Sequence, residues 1–301
     1  MTWLFISLTS AAFMGLVSIS DKIVIHRYTN TPLTLPLLIS ITQTTVGIVL
    51  LIFGGIPNEA SLATSTSAFG SGVFHGFAGL LLIKTLFSQE VSRTIPVTQS
   101  APIFTALLAF LILGESISII QYGGIIIAVL GSALITLRTN DGAHGVFLHK
   151  SFYPLMFSAF LFGAGIVTGK MALEELPILY THGLRTLATA LIFLCFALRS
   201  EPLADVKSLL SKRSPALLLV AINDFITAQA GLIMLLWALS LGPASLVAAV
   251  AGTRALFTVI YSMCITKVWV GALGEDMSTR SILTKLFSTV LIVAGITAIA
   301  I

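Results

Sequence analysis

Charge is what this chain has least of: only 9% of its 301 residues are Asp, Glu, Lys or Arg, against roughly 25% in an average soluble domain. With 56% hydrophobic residues, it cannot hide its apolar surface in one aqueous core, and no segment is polar enough to form a soluble domain. Cysteine is nearly absent. Cys195 and Cys264 both fall inside apolar runs, which argues against a disulfide framework or a thiolate metal site. Catalytic signatures are missing too. There is no HExxH zinc motif, no GxSxG nucleophile elbow and no glycine-rich phosphate loop ending in lysine, so neither an enzyme nor a cofactor nor a metal is expected. Met1-Thr2-Trp3 opens an apolar run without a basic region or an Ala-x-Ala site, so the first span is expected to be retained.

The apolar runs dictate the fold. They fall near 2–21, 33–53, 68–87, 95–113 and 117–137, and again near 152–169, 178–198, 215–240, 243–266 and 281–301. Each comes close to the ~20 residues that cross a hydrocarbon layer of ~30 Å. They are too long, and too uniformly apolar, for barrel strands, so helices must pair their backbone groups. The sequence therefore predicts an all-α integral membrane protein of about ten transmembrane helices, whose partner is the lipid bilayer. Loops such as Gly114-Glu115-Ser116 and Ser240-Leu241-Gly242 are short, and Pro96 and Pro243 are expected to open helices. The excess of four positive charges concerns loop placement and solute sign, and no nucleic-acid partner is expected.

A repeat runs through these spans. Ser10-Ala11-Ala12-Phe13-Met14-Gly15 with Lys22 matches Ser158-Ala159-Phe160-Leu161-Phe162-Gly163 with Lys170, at a constant offset of 148. Ala101-Pro102-Ile103-Phe104-Thr105 lies over Arg254-Ala255-Leu256-Phe257-Thr258, Leu113-Gly114-Glu115 recurs as Leu273-Gly274-Glu275, and Gly131-Ser132-Ala133-Leu134-Ile135 corresponds to Gly295-Ile296-Thr297-Ala298-Ile299. Matches in the same order predict two five-helix repeats, 1–140 and 150–301. Five spans is an odd number, so the second copy enters the membrane from the opposite side, as in secondary transporters whose mirrored halves surround a midplane site.

The stretch from Ser100 to Ala109, Leu113-Gly114-Glu115, Gln121 with Gly124, and Gly131 resemble the ten-helix branch of the drug/metabolite transporter superfamily, with its two EamA-like repeats. The second half departs from that pattern. Ala255 stands where Pro102 predicts proline, Arg254 replaces a small residue, and extra residues separate Thr258 from Gly274-Glu275. The resemblance implies a carrier of small organic solutes, from amino acids and drugs to sugar phosphates and nucleotide sugars, and the fold does not select among them.

Ionisable residues inside spans are costly and mark candidate solute-binding positions. Arg254, Asp224, Arg185 and His75 lie deep in their runs, and Lys84 nearer a helix end. Arg254 leads, because its fixed charge and fork of donors suit a carboxylate or phosphate; a structural ion pair with Asp224 is the alternative. Arg185 has His182 one turn earlier on the same face, where the two could line a cavity wall or Arg185 could snorkel. Asp224, with Thr227 three residues on, is a candidate proton-coupling carboxylate or an arginine's partner. His75, between Gly72 and Gly76, is balanced between ligand contact and helix packing, while snorkelling is favoured for Lys84. Glu115 and Glu275 are expected to cap the helices that follow them, and Lys22 and Lys170 to anchor at the interface.

Lys84, Arg185 and Arg254 against Asp224 leave an excess of positive charge among these groups, which favours an anionic solute, moved by exchange with a counter-substrate or with proton coupling. The function expected is a secondary transporter of small organic metabolites working by alternating access. An amino-acid or drug exporter with a structural Arg254–Asp224 pair is the nearest alternative. A channel or lipid-handling protein is the alternative from another class, but no repeated polar face supports it. A multi-pass protein of the cell membrane with both termini on one side is expected. The basic residues place those termini outside and the family resemblance inside; the charge distribution is given slightly more weight.

Overall fold

The computed structural model describes residues 2–55, 57, 60–115, 118–138, 147–148, 150–269, 273 and 279–300. Helices α1 (Thr2–Tyr28), α2 (Thr34–Gly54) and α3 (Leu62–Ser88) come first. Next are α4 (Val91–Thr98), α5 (Ala101–Leu108) and α6 (Ile119–Thr136). A two-residue antiparallel pairing of Leu137–Arg138 with Phe147–Leu148 precedes α7 (Phe152–Ala172) and α8 (Ile178–Ala197). The chain continues through α9 (Ser200–Ser211), α10 (Pro215–Ile222), α11 (Gln229–Leu241), α12 (Ala244–Ala251), α13 (Arg254–Val268) and α14 (Thr279–Ala300). Among the described residues, eight helical stretches are long and apolar enough to cross a membrane. The protein is a multi-pass, all-helical membrane protein.

Hydropathy marks the hydrocarbon, not the helix ends, so several helices outrun their apolar runs. α1 continues to Tyr28 and α3 begins at Leu62. Pro96 lies inside α4 instead of opening a helix, whereas Pro243 is the N-cap of α12. Two apolar runs are also broken: α4 stops before Gln99-Ser100 and α12 before Gly252-Thr253, after which α5 and α13 resume the span. The breaks end 153 residues apart, at Ala101 and Arg254. π-helical turns at Ala109–Leu113 and Asn223–Ala228 shift the ladder further, a feature that often marks functional positions. α9 is a short amphipathic helix, its Pro202, Asp205, Val206 and Leu209 buried.

Small residues let the spans approach. A Cβ on Gly15 of α1 would lie 2.9 Å from the Phe257 Cβ of α13, and one on Gly163 of α7 2.9 Å from the Phe104 Cβ of α5. Ser10 donates to the Gly231 carbonyl at 2.7 Å, and Ser158 to the Ala78 carbonyl at 2.8 Å. Lys22 and Lys170 are not interface anchors. Lys22 Nζ donates to the carbonyls of Leu86 and Gln89, both at 2.6 Å, at the end of α3; Lys170 Nζ donates to those of Leu239 and Gly242, at 2.7 and 3.0 Å, at the end of α11. Each thus neutralises the negative end of a helix dipole and satisfies its terminal carbonyls. Glu115 caps a helix, but not the one that follows: its carboxylate accepts from the backbone of Ala244 and Ser245 at the start of α12, and from the Ser245 hydroxyl. Glu275 lies outside the described residues.

Candidate functional site

Two adjoining cavities open among the helices. Met14 of α1, His75 of α3, Phe162 of α7, Leu232 of α11 and Arg254 of α13 line both, so they form two lobes of one site. The breaks and π-turns explain why these polar groups meet there. Arg254 is the first residue of α13, immediately after the break, and Asp224 sits in the π-turn beyond α10.

The first lobe carries Arg185, with Gln99 and Ser10. Arg185 is 3% exposed. Its Nη2 donates to His75 Nδ1 at 2.8 Å, and its Nε has no hydrogen-bond partner. Arginine has no acceptor, so His75 must offer a bare Nδ1 and carry its proton on Nε2. An edge-on contact with Phe162, 4.9 Å between centroids, orients the imidazole further.

The second lobe carries Asp21, Asp224 and Gln43. Asp224 accepts from the Thr42 hydroxyl at 2.9 Å, and Asn223 Nδ2 donates to Asp21 at 2.9 Å. Behind them His182 Nε2 donates to Gln229 Oε1 at 2.8 Å, and Gln229 Nε2 donates to the Asp224 carbonyl at 2.8 Å, fixing the π-turn. Gln43 Oε1 is buried with no hydrogen-bond partner. Orphaned polar atoms are expensive in a folded interior and call for an explanation. Here a donor stands unpaired in one lobe and an acceptor in the other.

Several sequence-based assignments shift. Arg185, Asp224, His75 and Arg254 do come together. Lys84 does not: it is exposed near the end of α3 and lines neither lobe. His182 lies behind the wall instead of on it, and Thr42, not Thr227, serves Asp224. The Arg254–Asp224 ion pair is not formed among the described residues; Arg254 Nε and Nη2 donate to Ser18 Oγ at 3.1 and 2.7 Å. Asp21 was missed. It is half-buried and within electrostatic reach of Asp224 and Arg254. Its place at the edge of an apolar run hid it, although an acidic residue beside the repeat-matched Lys22 was a signal. With Lys84 removed and Asp21 added, the lobes hold two arginines and two aspartates, and the positive excess behind the anionic expectation disappears.

Residues 1–137 match the EamA-like transporter family. No curated protein matches the sequence. The chain shares its fold with solved structures, among them one described as "Crystal structure of protein", which aligns over 99% of this chain and 94% of that chain with a TM-score of 0.59 and 15% sequence identity.

Proposed function

We infer that this chain, whose residues 1–137 belong to the EamA-like family of membrane transporters, is a secondary carrier of small zwitterionic solutes. The observation that carries this reading is the pair of orphaned atoms: Arg185 Nε in the lobe that ends in guanidinium, Gln43 Oε1 in the lobe that holds two carboxylates. A solute with its carboxylate on Arg185 and its ammonium near Gln43, Asp21 and Asp224 satisfies both, and charge-assisted hydrogen bonds are the strong ones. Met14, Phe162 and Leu232 give its side chain an apolar bed.

The carrier works by alternating access between inverted halves. Support comes from contacts that recur in mirrored pairs: Gly15 on α13 with Gly163 on α5, Ser10 on α11 with Ser158 on α3, and the two lysine caps. The formal charges of two arginines and two aspartates balance in the empty site, and a zwitterion keeps that balance. Reorientation of the site then carries no net charge, so the membrane potential does not oppose it. An anion would add charge at every turnover.

Purified protein is screened by thermal shift against neutral amino acids, dicarboxylates, sugar phosphates and organic cations. Neutral amino acids are expected to raise the melting temperature by mass action. Arg185→Gln should weaken that effect roughly tenfold to a hundredfold in concentration, the weight of one charged hydrogen bond of about 1.5–3 kcal/mol. Stabilisation by phosphates or dicarboxylates alone would restore the anion-carrier reading and overturn this one.

A further inference from the structure

We propose that a crevice between α2, α9 and α10, which shares no lining residue with the solute lobes, is a binding site for an anionic phospholipid, with an acyl chain in the crevice and the phosphate on Lys207, Lys212 and Arg213. The crevice is walled by Leu38, Ile41 and Thr42 of α2, Val206 and Leu210 of α9, and Leu217, Val220 and Ala221 of α10. Ile41 and Leu210 are more than half exposed, at 54% and 56%, so the slot opens sideways, where lipid lies.

The basic residues are interleaved with that wall. Lys207 adjoins Val206, Lys212 follows Leu210 by two residues, and Arg213 precedes Leu217 by four; all three side chains are exposed. The buried acid of α9 offers little competition, because the Asp205 carboxylate is already engaged by hydrogen bonds from Asn30 and Thr34. An apolar slot beneath a basic rim at the end of transmembrane helices matches the two parts of an anionic lipid, and basic pockets between spans hold such headgroups.

Arg213 supplies a second, independent observation. It ends α9 at φ 48°, the left-handed region, and among the described residues it is the one residue other than glycine to do so. The turn is a helix-terminating motif in which Ser214 N bonds the Leu209 carbonyl at 3.0 Å and Arg213 N that of Leu210 at 3.1 Å. Glycine fits this position without strain and is its usual occupant. An arginine held there against its backbone preference points to a use for the side chain.

The test compares the whole protein in nanodiscs of phosphatidylcholine with and without phosphatidylglycerol, reading the melting temperature and the bound lipid by native mass spectrometry. Phosphatidylglycerol is expected to raise the melting temperature and to co-purify at defined stoichiometry. Lys207→Gln/Lys212→Gln/Arg213→Gln should weaken its binding about a hundredfold, from the contribution of a basic residue at an anionic surface. Leu210→Trp, which fills the slot and keeps the charges, should abolish the shift. Arg213→Gly relieves the turn, so it should stabilise the protein in neutral lipid while reducing the response to phosphatidylglycerol. Lys150→Gln/Lys267→Gln removes two other exposed lysines and should change nothing. Equal melting temperatures in the two lipids would overturn the site. So would equal losses in the Lys150/Lys267 control, or an equal shift produced by inorganic phosphate alone.

Discussion

Asp205 ties α9 to the α1–α2 turn through single hydrogen bonds that can be dissected. Its carboxylate accepts from Asn30 N at 2.8 Å, Asn30 Nδ2 at 2.6 Å and Thr34 Oγ1 at 2.6 Å. Burial alone would push its carboxyl up, but these donors outweigh it and hold the group below the usual carboxylate range. Because the folded value lies below the unfolded one of about 3.9, the stabilisation is complete at neutral pH and drains away as pH falls below about 4. Asp205→Ala is expected to cost about 3 kcal/mol, from hydrogen bonds to a charged acceptor and the stranded donors. Melting temperatures followed from pH 7 downward should lose part of their acid dependence in the variant. None of this was legible in the sequence, where Asp205 looks like an ordinary loop acid. Asp21 escaped for a related reason: residues at the rim of an apolar run are read as loop, yet α1 carries Asp21 a further two turns inside.

At the scale of elements, α8 is held by small residues of α2 and α3, and the position of Arg185 follows from them. A Cβ on Gly72 would lie 2.2 Å from the Arg185 carbonyl oxygen and 2.7 Å from the Ala188 Cβ. The obstruction is backbone, so the helices must part. Gly72→Ala is therefore expected to destabilise by about 1–3 kcal/mol through overpacking. It should also blunt the solute-induced thermal shift nearly as much as Arg185→Gln, although residue 72 lines neither lobe. Gly70→Ala is the control, since nothing lies within 4 Å of its added Cβ. The spans themselves were readable because hydrocarbon demands long apolar helices. The breaks at Gln99-Ser100 and Gly252-Thr253 were not, because each interrupts its apolar run for only two or three residues before apolar side chains resume. α9 was hidden as well: twelve residues of mixed polarity are too short for a span and look like a connecting loop.

The whole molecule has two ends distinguished by their contacts. Where α1 begins, Ser7 donates to the Val247 carbonyl at 3.1 Å, and Glu115 seals the start of α12. Where α1 ends, the buried pair Lys285–Glu90, 2.7 Å apart, joins α14 to α4. One half of each mirrored contact was visible as matched residues, Ser10 with Ser158, Gly15 with Gly163 and Lys22 with Lys170, but the other half was not, because a lysine and the carbonyls it caps need no shared side chains. The same two ends also carry the means of watching them. Of the three tryptophans, Trp3 packs against Gly242, 3.0 Å from where a Cβ would stand, at the end where α1 begins. Trp269 lies under the Arg27 guanidinium, 4.3 Å from its carbon, at the other. Trp237 is 47% exposed and belongs to neither contact. The protein therefore contains one intrinsic fluorophore at each end and a third on its flank. In Trp269→Phe the emission should report movement at the first end, in Trp3→Phe at the second, and opposite spectral shifts on adding solute are the outcome expected of the proposed alternating access.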